Sequence, residues 1–84
     1  MRILDESKDR KIDSLTIFFT KDEAEQMQDS LEQLLEMKDA RKAHFHISSE
    51  DFQKEITIAM YDENDRESWS SFNERSKKLI EKDE

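Results

Sequence analysis

Apolar residues recur at every second position in three stretches of this chain and at every third or fourth in two others. Leu15-Thr16-Ile17-Phe18-Phe19-Thr20 is β-branched and aromatic, with Leu15, Ile17 and Phe19 on one face and Thr16, Phe18 and Thr20 on the other. That composition predicts a strand. Ala43, Phe45 and Ile47 alternate with His44, His46 and Ser48, while Ile56, Ile58 and Met60 alternate with Glu55, Thr57, Ala59 and Tyr61. Both stretches read as half-buried strands. The short polar connection 49–54 joins them as a hairpin.

Between the first and second strands the period changes. Thr20-Lys21-Asp22-Glu23 is a capping-box sequence, in which the Thr hydroxyl takes the amide three residues on and the Glu reaches back. Ala24, Met27, Leu31, Leu34 and Leu35 then follow the rhythm of an amphipathic helix. The helix is predicted to reach about Lys38, with Lys38, Arg41 and Lys42 near the negative end of its dipole. Toward the end of the chain, Asn64-x-x-Glu67 and Ser71-x-x-Glu74 both resemble helix starts. Trp69, Phe72, Ser76, Leu79 and Ile80 trace a looser helical stripe after them, ending among Lys77, Lys78 and Lys82. Residues 1–13 are mostly polar and charged, with one short apolar patch at Ile3-Leu4, and read as a frayed tail or a short edge strand turning back through residues 7–10. Residues 81–84 are expected to fray.

The order strand, helix, strand, strand, helix predicts one α+β domain over residues 1–84. It would be a two-layer sandwich with a small, mostly antiparallel sheet of three strands, or four if residues 2–6 join. A right-handed crossover packs the first helix on one face. The other face carries Thr16, Phe18, Thr20, His44, His46, Thr57, Ala59 and Tyr61, and is either covered by the C-terminal helix or left open.

Composition narrows the chemistry. The 84 residues include no Gly, no Pro and no Cys. Phosphate-binding glycine loops, dinucleotide fingerprints and nucleophile elbows all need backbone conformations that Gly supplies, so none is present. The lack of Cys excludes a disulfide frame, a zinc ribbon and a thiol nucleophile. Leu, Ile and Phe supply 18 residues and Val none, a modest stock for a core. The first residues lack an apolar leader core, and no apolar run approaches a membrane span, so a soluble, cytoplasmic protein with no membrane partner is expected. The net charge of −8 disfavours nucleic acid and favours a protein partner with a basic surface. Base stacking on Phe18 and Tyr61 would need cations that the strands lack.

Three constellations stand out. Asp22, Glu25, Asp29, Glu32 and Glu36 are spaced 3, 4, 3, 4 and share one helical face. This is either a docking surface for a cationic protein or a solvated outer face. The stripe extends about 21 Å at the helical rise. Its charge density is below that of a DNA strand, so it mimics nucleic acid only in part. His44 and His46 point to the same side of a strand and could supply two ligands to a metal, with Glu50, Asp51 or Asp62 as a third; polar residues on an outward sheet face are the plainer account. Trp69 and Phe72 either close the core or form an interface, and with Phe18, His44, His46 and Tyr61 they make up the candidate surface for a homodimer. No nucleophile, base and orienting group can be named together, so no enzyme, cofactor or metal is expected.

The strand Leu15-Thr16-Ile17 running into Thr20-Lys21-Asp22-Glu23-Ala24, the Leu-rich helix and His44-Phe45-His46-Ile47 resemble uncharacterised small bacterial proteins of the polymorphic-toxin immunity type. The resemblance covers residues 15–61. It implies a compact, acidic, non-catalytic protein that acts by occluding a toxin. The expected function is therefore inhibitor-like docking of a basic protein through the acidic helix face. A structural homodimer, formed through the His/Tyr sheet face or the Trp69 helix, is the alternative.

Overall fold

The capping box at Thr20 forms, and the computed structural model, which describes residues 1–37 and 44–84, starts helix α1 (Lys21–Glu36) directly after it. Thr20 Oγ1 accepts the Glu23 amide at 3.2 Å, and Glu23 Oε1 accepts the Thr20 amide at 3.0 Å. The helix ends at Met37, whose backbone is extended. Lys38, Arg41 and Lys42, placed by the sequence near the helix end, lie outside the described residues, as does Ala43 of the expected second strand.

The expected central hairpin is present. Strands β3 (His44–Ser48) and β4 (Glu55–Ala59) pair antiparallel, with His46 opposite Thr57 and Ile47 opposite Ile56. Phe45, Ile47, Ile56 and Ile58 are buried or half-buried, whereas His44, His46, Thr57 and Ala59 are exposed, so the predicted alternation holds. Helix α1 packs against β3. Leu34 and Ile47, at 4% and 2% exposure, are the most buried hydrophobic side chains of the two elements.

Without glycine, the tight turns fall to other residues. Asp9 and Asp83 take positive φ, at 51° and 54°, a conformation that Asp tolerates by local hydrogen bonding. Phe52, at the β3–β4 turn, has φ 58°, where a bulky side chain is strained by about 1–2 kcal/mol. A local network holds it there. Ser49 accepts and donates across the turn to Lys54, and the Asp51 carboxylate accepts the Gln53 amide at 3.1 Å and the Ser49 hydroxyl.

The α+β order is as the sequence predicts, but its opening strand is a different one. Residues 15–20 form no strand. The chain instead begins with a hairpin of two-residue strands, β1 (Leu4–Asp5) against β2 (Arg10–Lys11), which turns back through residues 7–10 as a sheet of its own and does not join β3 and β4. Propensity makes a strand only where a neighbouring backbone is available. Among the described residues β3 and β4 pair only with each other, giving two two-stranded sheets in place of the expected single sheet of three or four strands.

The C-terminal region also divides differently. Asp65 caps a 3₁₀ turn (Arg66–Trp69), and Asn73 caps helix α2 (Glu74–Lys82), accepting the Ser76 amide at 2.8 Å. The caps are thus Asp65 and Asn73, one residue after the predicted Asn64 and two after Ser71. Asp65 accepts the Glu67 amide and Asn73 the Ser76 amide, as capping side chains do. Residues 81–84, expected to fray, form the last helical turn and its left-handed cap, and the Glu84 carbonyl accepts from Arg75 at 2.9 Å. Helix α2 is tied to the N-terminal hairpin. Arg2 Nε donates to the Leu79 carbonyl at 3.1 Å, Arg75 Nε pairs with Asp9 at 2.7 Å, and Lys11 lies 3.8 Å from Asp83. The second face of the β3–β4 sheet is consequently left open.

The buried hydrophobic residues are Leu34, Ile47, Trp69 and Leu79. We expect Leu34→Ala to cost about 2–5 kcal/mol and Trp69→Ala about 3–5 kcal/mol in urea unfolding, a large share of the stability of so small a domain.

Candidate docking surfaces

Every carboxylate of the predicted acidic stripe, Asp22, Glu25, Asp29, Glu32 and Glu36, is exposed. At 3.6 residues per turn the stripe is centred roughly 160° round α1 from buried Leu34, so packing of α1 on β3 turns it outward. Among the described residues none of the five has an ion-pair partner. Their charges reinforce one another along the helix.

One acid on the same helix behaves differently. Glu23 spans two elements: Oε1 caps the helix, while Oε2 accepts the Glu50 amide at 2.9 Å and so fastens the β3–β4 turn to the start of α1. These two amides, Thr20 first and Glu50 second, hold its carboxyl below the ordinary glutamate value. Asp51 is lowered too, chiefly by the Ser49 hydroxyl and then by the Gln53 amide. The clamp carries Phe52, 85% exposed, to the end of α1 where Phe18 and Phe19 enter. The sequence reading passed over Phe52 because an isolated aromatic in a polar turn breaks no pattern.

On the open sheet face the two histidines do come together, their rings edge to face with centroids 5.4 Å apart. His46 Nδ1 lies 2.9 Å from Thr57 Oγ1 and also meets the Glu55 carboxylate. None of Glu50, Asp51 or Asp62 completes a ligand set, and among the described residues no three His, Cys, Asp or Glu side chains are placed to hold a metal ion. Glu55 was legible in hindsight: it alternates with Thr57 on the same face, diagonal to His46 in the register.

Trp69 is 6% exposed with the Arg66 guanidinium 5.5 Å over its ring, and Phe72 is half-buried. The Trp69 indole is thus covered within one chain, on the 3₁₀ turn that precedes α2. Tyr61 is half-buried, and Phe18 is the most exposed aromatic of the candidate set at 91%. A cleft bounded by Arg66, Glu74, Lys77, Lys78, Glu81 and Lys82 lies beside α2; its charges are partly matched, as Lys77 sits 3.4 Å from Glu74 and Arg66 pairs with Glu81. No helix among the described residues is long and apolar enough to cross a membrane.

Comparison with known proteins finds no matching family model, no matching curated protein and no matching solved structure.

The Glu23 clamp gives a signed prediction. Because its folded value is depressed, the stabilisation it supplies is complete above the ordinary glutamate value and is lost as pH falls through the lower, folded one. Acidification through that window should lower the protection factor of the Glu50 amide, its exchange rate being compared with that of an unstructured chain at the same pH, and Glu23→Gln should show the lower protection already at neutral pH. A protection factor indifferent to both changes would remove the clamp from the account.

Proposed function

We propose that this chain is a non-catalytic protein-binding module, of an inhibitor or immunity-like kind, that docks a basic protein through Asp22, Glu25, Asp29, Glu32 and Glu36. The observation that carries this reading is the exposure of all five carboxylates on the side of α1 turned away from the hairpin, with no cation matched to them among the described residues. Like charges four residues apart weaken a helix by a few tenths of a kcal/mol (~0.2–0.5) per pair. The helix tolerates that because its capping box and its packing on β3 stabilise it independently. A basic partner would turn the same repulsion into attraction and would be steered toward the face from a distance.

The resemblance of residues 15–61 to immunity-type proteins supports the inhibitor form of the reading, in which binding blocks the partner's own site. Such a module needs no reaction centre. It needs a rigid face of one sign, and a capped sixteen-residue helix is one.

Affinity capture from the host lysate, run in parallel with a Glu25→Gln, Asp29→Asn, Glu32→Gln variant, tests the proposal. A basic protein should be retained by the native chain and released by added salt, and the variant should associate with it roughly ten-fold more slowly or worse. Full binding by the neutralised variant would contradict the docking face.

A further inference from the structure

One chain exposes more surface than a compact monomer of its mass. Its accessible area is 6799 Å², against about 5,300 Å² expected for a folded monomer of this mass. Its radius of gyration is 13.5 Å, against about 12 Å. The surplus of about 1,500 Å² falls within the roughly 1,000–2,500 Å² that each partner of an obligate homodimer contributes to its interface.

Most of the exposed large hydrophobic side chains fall in two segments, 15–19 and 31–35. Leu15, Ile17, Phe18 and Phe19 are 51%, 41%, 91% and 38% exposed, although they form the most apolar run in the chain. Helix α1 is covered on only half of its apolar stripe. Leu34 is buried, but Ala24, Leu31 and Leu35 line up roughly 80° further round and are exposed, Leu35 at 73%. Phe52, strained and exposed, stands at the Phe18 end of the same helix. Backbone pairing shows the same deficit. Among the described residues, 15–19 form no ladder, and β3 and β4 each keep a free edge.

The chain therefore carries both an unpaired strand sequence and the free edges that such a strand needs. We infer that a second copy of this chain covers residues 15–19, Phe52 and the Leu31–Leu35 flank of α1, with residues 15–19 pairing as a strand across the interface. A two-fold axis satisfies both chains at once, since each supplies what the other lacks. The acidic stripe lies roughly 120° round α1 from this flank, so a dimer would present it twice, outward. The contact differs from the His/Tyr sheet face, which is polar and internally bonded, and from the Trp69 turn, which is buried.

Light scattering on the full chain tests this together with a Phe18→Glu, Leu35→Glu variant. Both positions are largely solvent-exposed in one chain, so a monomeric fold has no reason to lose structure there. The native chain is expected at twice the mass of one chain. Added salt should preserve or tighten it, because screening relieves repulsion between two chains of −8 each. The variant should fall to half that mass while keeping its helical circular dichroism. A native chain of single mass, or a variant that stays dimeric, would overturn the inference. Docking of a basic partner is weakened by salt and by the Glu25, Asp29, Glu32 variant, which should leave the dimer mass unchanged, so either idea can fail without the other.

Discussion

The contact between α1 and β3 is the constraint on which the rest of the structure depends. It joins the longest helix to the central hairpin, and those two elements hold Leu34 and Ile47, the most buried hydrophobic side chains among the described residues. Its direction decides what every other side of the helix can do. Leu34 facing the hairpin sends the carboxylates outward, leaves Leu31 and Leu35 on a flank, and sets the first turn where Glu23 can reach the Glu50 amide. A rotation of α1 by one residue, about 100°, would take Leu34 off the hairpin and carry Glu23 away from the Glu50 amide.

The elements legible in the sequence were those whose signals are local. The capping box at Thr20, the alternation of Phe45 and Ile47, and that of Ile56 and Ile58 each specify their structure within a few residues, and each formed. Residues 15–20 carry an equally clear local signal and made no strand, because a strand also requires a partner's backbone, which no property of six residues can specify. The C-terminal stripe failed in a milder way. Trp69 and Leu79 are both buried as their pattern implied, but they lie on two elements, separated by the cap at Asn73. Which surface α2 covers was not legible, since the ties from Arg2 and Arg75 join the two ends of the chain, 77 and 66 residues apart in sequence.

The candidate site divides along the same line. The acidic face was readable because helical spacing fixes which residues share a side, and one buried residue fixes which side faces out. The histidine pair was placed correctly on the open face, whereas its carboxylate neighbour depended on hairpin register. The uncovered apolar surface could not be read from sequence at all. Leu31 and Leu35 have the spacing of core residues, and only the position of the hairpin shows that the core stops at Leu34. Helix α1 thus offers two different faces, one charged and one apolar, which suit a long-range electrostatic partner and a close-packed one respectively.

The apolar face rests on a single claim, that one copy of this chain buries less of its surface than a self-sufficient domain would. Equilibrium urea unfolding at a series of chain concentrations tests that claim most directly. If folding is coupled to association, the midpoint must rise with concentration by mass action. A midpoint that stays constant across the series would mean that the small core formed within one chain is sufficient, and the account would be wrong.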